Sequence, residues 1–233
     1  MTRILFICHG NICRSPTAEY IMKDLVCRAG LSNEFEIASA ATSSEELGNG
    51  VYPPARRMLA AHGIDCSAHR ARQMRRDDYA HFDIIISMDK ENRRNLDRFF
   101  AGDPENKIHN LLDYAGRAGE EVADPWYTRD FQRAWDDIYA GCSGLLDTLT
   151  DTVTLDFSSC RDRTEMYAVL RSKMVWQDWY GENLDALWDI LTGLEHKGKR
   201  FRIITPGESA GGDVSAYAEK MKNVFRRTGA LAE

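Results

Sequence analysis

The chain has 233 residues of ordinary composition, 43% hydrophobic and 28% charged, which excludes a disordered, collagen-like or low-complexity protein and fits two small domains better than one. Its net charge of −6, nearly all of it before residue 150, argues against a general nucleic-acid binder. No apolar run approaches the roughly 18 residues of a membrane span, and Ile4 to Cys8 is too short for a secretory signal, so the chain reads as soluble and cytoplasmic.

In chain order, Ile4-Leu5-Phe6-Ile7 is a continuous apolar run, the pattern of a parallel strand buried on both faces. Ser15-Pro16 starts a helix, with Tyr20, Ile21, Leu25 and Val26 at helical spacing. Phe35 to Ala38 is a second strand, and Ala55 to His62 a helix that stops at Gly63. Phe82 to Met88 is a third strand, and Asp89 caps a helix through about Phe99. Ile108 to Leu112 is a weaker fourth strand. Phe131, Trp135, Ile138, Cys142, Leu145 and Leu149 then mark one long amphipathic helix. This alternation predicts an α/β layer with a four-stranded parallel sheet flanked by helices. After Asp151 the pattern restarts: strand Val153 to Phe157, helix Glu165 to Met174, and an apolar stripe at Leu184, Leu187, Trp188 and Leu191. A strand at Phe201 to Thr205 and a helix through Tyr217, Met221, Val224 and Phe225 follow. The expected domains are 1–150 and 151–233, the second a smaller α/β unit with a short parallel sheet.

The six cysteines (8, 13, 27, 66, 142 and 160) are too scattered for a disulfide scaffold, and no C-x-x-C pair marks a zinc site. Each is judged on its chemistry. Cys8 begins the run Cys8-His9-Gly10-Asn11-Ile12-Cys13-Arg14-Ser15-Pro16, where an apolar strand ends and a helix begins. Gly10 and Asn11 can take left-handed conformations there. Such a loop aims backbone N–H groups inward, and the following helix adds its positive end, which together make an anion cradle. The same environment favours a thiolate at Cys8 and holds a phosphate for it to attack. Arg14 can grip that phosphate with two parallel hydrogen bonds, and the Ser15 hydroxyl can support the sulfur. Cys66 to Arg72 repeats the Cys-to-Arg spacing without a preceding strand, a loop glycine or a clear helix, and is incidental. A proton donor for the leaving oxygen is offered by Asp124 in Ala123-Asp124-Pro125-Trp126-Tyr127, whose two aromatics can wall a pocket for an aromatic leaving group. An aspartate before proline otherwise just begins a turn.

Cys8 to Pro16, Ser39 to Ser43, His69 to Gln73 and Asp124 to Tyr127 resemble the low-molecular-weight protein tyrosine phosphatases, from the first strand to about Leu149. The resemblance implies the fold of that family and a metal-independent phosphatase without a cofactor, acting on phosphotyrosine proteins or peptides. It assigns Cys8 as the nucleophile that becomes phosphocysteine, and Arg14 as the phosphate and transition-state ligand. Asp124 is then the acid and later the base. Asn11 holds the loop, with Ser43 and His69 in its supporting network. Loop residues His9, Gly10, Ile12, Cys13 and Ser15 complete the phosphate site, and Cys13 matches a cysteine able to protect the nucleophile as a reversible disulfide. Family members for phosphotyrosine often carry an aromatic where this chain has Ser44-Glu45-Glu46-Leu47, so Trp126 and Tyr127 must supply the stacking. Thioredoxin-linked arsenate reductases resemble the same loop but need a downstream cysteine pair, and His81 to Asn92 holds no cysteine. Phosphoarginine phosphatases are also similar, typically with threonine at the position of Ile12, which favours phosphotyrosine here.

Trp179-Tyr180-Gly181-Glu182-Asn183-Leu184-Asp185-Ala186-Leu187-Trp188-Asp189 is the second conspicuous stretch. Asn183 can cap the helix, and Asp185 and Asp189, four apart, share one strip of it. Most such pairs are simply a solvated face. Thr152 to about Gly229 resembles barstar, the intracellular inhibitor of the ribonuclease barnase, most closely in this helix. The resemblance implies that Asp185 and Asp189, with Trp179 as the aromatic, face a ribonuclease-type protein partner; the alternatives are a module that regulates or stabilises the phosphatase, and an immunity protein whose phosphatase half is incidental. Three departures accompany it. Arg227 stands where barstar has a glutamate, Lys197, Lys199, Arg200 and Arg202 crowd together, and the residues up to Glu233 stop before barstar's final strand, which predicts a shortened sheet with an exposed edge.

Overall fold

The computed structural model describes residues 1–177, 180–193, 199–206 and 212–231. It divides into two compact units, Met1–Leu146 and Asp147–Glu233. Among the described residues no helix is long and apolar enough to cross a membrane.

The first unit is built on a parallel sheet of β1 (Thr2–Cys8), β2 (Phe35–Ala41), β3 (Ile84–Ser87) and β4 (Ile108–Asn110), in the order β2-β1-β3-β4. Central β1 pairs with β2 along its whole length and with β3 from Ile4 to Ile7. Its Ile4, Leu5, Phe6 and Ile7 are fully buried, which explains the unbroken apolar run. Each such side chain contributes roughly 1.5–3 kcal/mol by leaving water. Leu5 and Ile7 join Met74, Phe82, Ile85, Leu96 and Ile108 in one core cluster.

The helices of this unit are α1 (Arg14–Arg28), α2 (Pro53–Ala61), α3 (Arg76–His81), α4 (Lys90–Phe100), α5 (Pro125–Thr128) and, up to Leu146, α6 (Phe131–Leu149). Asp89 caps α4 by accepting a hydrogen bond from the Asn92 N–H. Short α3 and α5 stand where the sequence gives only loop, because six and four residues are too few to show a helical period. The fourth strand is also shorter than expected. Leu111 and Leu112 turn into a 3-10 segment, Leu111–Ala115, and bury themselves below it. Gly141 and Gly144 of α6 lie against this segment, where a Cβ on Gly144 would come within 1.9 Å of the Tyr114 carbonyl oxygen.

In the second unit β5 (Thr152–Asp156) and β6 (Arg200–Ile204) pair in parallel, with α7 (Arg163–Lys173), α8 (Leu184–Thr192) and α9 (Gly212–Arg227) around them. Its core holds Leu155, Phe157, Met166, Tyr167, Leu187, Phe201, Met221 and Phe225. The Tyr167 and Tyr217 hydroxyls meet at 2.9 Å inside it. The sheet is short, as expected, with two strands among the described residues, and its β6 edge is contacted at one position. After Gly229 the chain returns to β6, where the Phe201 N–H donates to the Ala230 carbonyl at 2.7 Å and Leu231 bridges Phe201 in parallel. A strand position beside β6 is therefore already entered by Leu231.

Candidate active site

The site grows from the junction of β1 and α1. Cys8 ends β1, 3% exposed, with its Sγ 3.0 Å from the Ser15 hydroxyl. Between them the loop turns through Asn11, whose φ of 55° lies in the left-handed region. Asparagine tolerates that conformation better than most side chains. Gly10, expected to share it, does not have a positive φ. Its value is space, since a Cβ there would meet Glu46 Cγ at 3.2 Å.

Buried Asn11 uses both amide hydrogens and its amide oxygen. Its Nδ2 donates to Ser15 Oγ at 2.9 Å and Ser39 Oγ at 2.7 Å, and its Oδ1 accepts from the Arg72 N–H at 3.0 Å. Its carbonyl oxygen lies 2.8 Å from His69 Nε2. Ser39 Oγ donates onward to Glu19 Oε2 at 2.5 Å, and Lys23 pairs with the other Glu19 oxygen. The hydroxyl in direct contact with the Asn11 side chain from β2 is that of Ser39. Ser43 steadies the loop through its backbone, its N–H donating to the His9 carbonyl at 3.0 Å. Ile12 is tied down similarly, its carbonyl accepting from the Tyr52 N–H at 2.7 Å.

Helix α1 begins at Arg14 with Cys13 as its cap, one residue before the Ser15-Pro16 start read from the sequence. No acidic residue occupies its first turn, so its N-terminal N–H groups and positive dipole end are not neutralised from within. Pro16 falls where a backbone N–H would have no helical partner anyway. A helix N-terminus of this kind can bind an anion.

Arg14 is nearly buried and gripped by two carboxylates. Its Nη1 lies 2.6 Å from Asp89 Oδ2, and its Nη2 lies 2.6 Å from Asp124 Oδ2. Burial works against the guanidinium charge, but Cys8, Asp124 and Asp89 together hold its pKa above the usual arginine value. Asp124 caps α5 with its other oxygen, accepting from the Trp126 N–H at 2.9 Å. The loop before it is pinned twice. The Val122 N–H donates to the Met88 carbonyl at 2.9 Å, and Asp137 of α6 takes Arg117 at 2.6 Å. Burial, then the charges of Cys8 and Asp124, push the Cys13 thiol up to about 12.

Above Cys8 opens a cleft of about 830 Å³. Its walls include the Cys8–Arg14 loop, Glu45 and Glu46, Asp89 to Asn92, and Asp124, Trp126 and Tyr127. Trp126 is 48% and Tyr127 83% exposed, so both present ring surface to solvent. Trp126 rests on Tyr52, ring centroids 5.4 Å apart, and Tyr52 on Phe131 at 6.0 Å.

The structure therefore brings together Cys8, Arg14, Ser15, Asn11, His69, Asp124 and Trp126, drawn from separate stretches of sequence. Sequence reasoning missed Asp89 as a partner of Arg14, and missed Ser39, Glu19 and Tyr52. A buried serine in an otherwise apolar strand was the available signal for Ser39; Asp89 was legible only as a cap. In the second unit Asp185 and Asp189 are exposed on α8, capped by Asn183 through the Ala186 N–H. Arg227 stacks over the Trp188 ring, 5.3 Å from its centroid. Trp179 and Lys197 lie outside the described residues.

Residues 3–155 match the family model described as low molecular weight phosphotyrosine protein phosphatase, and residues 150–229 match that of barstar, the barnase inhibitor. The chain is 36% identical over 150 residues to the low molecular weight protein-tyrosine-phosphatase YfkJ of Bacillus subtilis, covering 64% of this chain and 96% of that protein. It is 36% identical over 148 residues to the low molecular weight phosphotyrosine protein phosphatase of Homo sapiens, covering 62% and 93%. The crystal structure of YfkJ superposes with a TM-score of 0.63 over 65% of this chain and 96% of its own. That of DARP, a Drosophila arginine phosphatase, does so with a TM-score of 0.59 at 31% identity, over 64% and 98%.

Proposed function

Because the chain belongs to the low molecular weight phosphotyrosine protein phosphatase family, a family of cysteine-based phosphatases, we propose that residues 1–150 hydrolyse phosphotyrosine through a phosphocysteine on Cys8. One observation carries this reading. The Cys8 sulfur, supported by Ser15, lies under a helix N-terminus, while the adjacent Arg14 reaches the carboxylate of Asp124.

Phosphate oxygens take the loop N–H groups and the Arg14 guanidinium, which is most valuable where charge spreads in the transition state. The Cys8 thiolate attacks phosphorus in line with the departing tyrosine oxygen, and the S–P bond forms as the P–O bond breaks. Asp124 gives its proton to that oxygen and becomes a carboxylate. The same carboxylate then takes a proton from water, whose oxygen attacks phosphorus. The S–P bond breaks, inorganic phosphate leaves, and Ser15 hydrogen-bonds the returning thiolate. No step needs a metal. Trp126, resting on Tyr52, stacks on the phenyl ring of the substrate.

Turnover of p-nitrophenyl phosphate in the presence of a chelator is the direct test, with Cys8→Ser expected to abolish it. Wild-type protein without turnover would reject the enzyme reading. Phosphoarginine is a second substrate reading, favoured by the likeness to the Drosophila arginine phosphatase and opposed by Ile12. A higher kcat/KM for phosphoarginine than for phosphotyrosine peptides would establish it.

Residues 151–233 are assigned as a barstar-like module that binds a protein partner of ribonuclease type through Asp185 and Asp189. Arg227 beside that helix face weakens its acidity, so the partner surface is less basic than the one barstar fits. Titration of the whole protein against a barnase-type ribonuclease tests this, and undiminished RNA cleavage at excess protein would reject inhibition of that enzyme. The working compartment proposed for both activities is the cytoplasm.

A further inference from the structure

The cleft over Cys8 has chemically different sides. Trp126 and Tyr127 form the one suited to an aromatic ring, whereas loop 43–48 contributes two carboxylates, Glu45 and Glu46. Each carboxylate has a polar neighbour. Glu45 Oε2 lies 3.2 Å from Nε2 of His9, the residue that follows the nucleophile. Glu46 Oε2 accepts from Asn49 Nδ2 at 2.7 Å, and its Cγ lies close over residue 10, where a Cβ would meet it at 3.2 Å.

Two carboxylates at the mouth of an anion site repel a bare phosphate monoester. They become useful when the substrate brings positive charge with its phosphate. There is room for it, since the cleft's volume of about 830 Å³ is near the upper end of the roughly 300–1,000 Å³ typical of small-ligand sites. More than one phosphorylated side chain can enter. Away from this loop the charges are mixed: Lys90 pairs with Glu121 at 3.8 Å, and Arg94 and Arg133 add positive charge.

We infer that Glu45 and Glu46 determine specificity, selecting phosphotyrosine that has a lysine or arginine beside it in the substrate chain. This rests on the phosphatase reading above and adds the sequence context of the phosphotyrosine. A neighbouring cation on the loop 43–48 side converts repulsion into attraction, while an acidic neighbour adds to the repulsion, so discrimination works by both signs. Glu45 is largely exposed, with its side chain 72% accessible, so solvent limits the effect.

The test uses the whole protein and phosphotyrosine peptides that carry Lys or Glu immediately before or after the phosphotyrosine, with alanine elsewhere. At one of the two positions kcat/KM is expected to favour Lys over Glu by about tenfold at low salt. The preference fades near 1 M salt, where screening acts within about 3 Å. Glu45→Lys, an exposed substitution that leaves the core untouched, is expected to remove or reverse it. Equal kcat/KM for Lys and Glu at both positions, or a preference that Glu45→Lys leaves intact, would overturn the inference while p-nitrophenyl phosphate turnover stood. Loss of that turnover in wild-type protein would instead overturn the phosphatase reading and this inference with it.

Discussion

Arg14 lies between Asp89 and Asp124, both at 2.6 Å, and each carboxylate also caps a helix. Asp89→Asn keeps an oxygen for the α4 cap and removes the charge that aims the guanidinium. It is expected to lower kcat for p-nitrophenyl phosphate on the order of 10²-fold, the cost of misplacing a group by about an ångström. Unchanged kcat would show that Asp89 does not position Arg14. Cys13 gives a pH prediction. With its thiol pushed up to about 12, only about one molecule in ten thousand carries its thiolate at pH 8. Iodoacetamide labelling of Cys13, followed by peptide mass spectrometry, should therefore rise about tenfold per pH unit from 8 towards 11. A plateau below pH 10 would contradict this. Cys8, Arg14 and Ser15 were legible because their relation is local, a strand end and a helix start seven residues apart. Asp89 and Ser39 were not, since they reach the loop across 75 and 28 residues of sequence.

At the scale of elements, α6 meets the 3-10 segment 111–115 so closely that only glycine fits at 141 and 144. Gly144→Ala would place a methyl 1.9 Å from the Tyr114 carbonyl oxygen, a clash with backbone that no rotamer can relieve. The expected loss is about 1–3 kcal/mol or more, read as a lower urea midpoint at constant m-value. An unchanged midpoint would mean that α6 moves freely against that segment. The long helices and buried strands were legible from their periods, and Asp89 and Asn183 were legible as caps. What escaped were short elements fixed by tertiary contacts. Helix α3 is held by the Asp78 carboxylate, which accepts from the Arg75 N–H at 2.8 Å, and α5 is a single turn that starts at Pro125. The return of Ala230 and Leu231 to β6 escaped too, because it depends on a backbone bond to Phe201 rather than on any pattern in the last residues.

For the whole molecule, two units divided after Leu146 each close a core of their own, and in the sequence the strand–helix pattern restarts after Asp151. Function is unevenly legible across them. The chemistry proposed for the first unit is concentrated in one loop, whereas the second unit spreads Asp185, Asp189 and Arg227 over two helices with no buried reactive group among them. The proposed hydrolysis depends first on the nucleophile. Asp124→Asn retains an oxygen for the α5 cap but has no proton acceptor for water, so the covalent intermediate should accumulate. That variant is mixed with p-nitrophenyl phosphate, quenched within milliseconds and digested for mass spectrometry. One phosphoryl group is expected on the peptide containing Cys8, and none in the Asp124→Asn protein that also carries Cys8→Ser. Hydrolysis that persists after Cys8→Ser, with no phosphoryl group found on Cys8, would contradict the account.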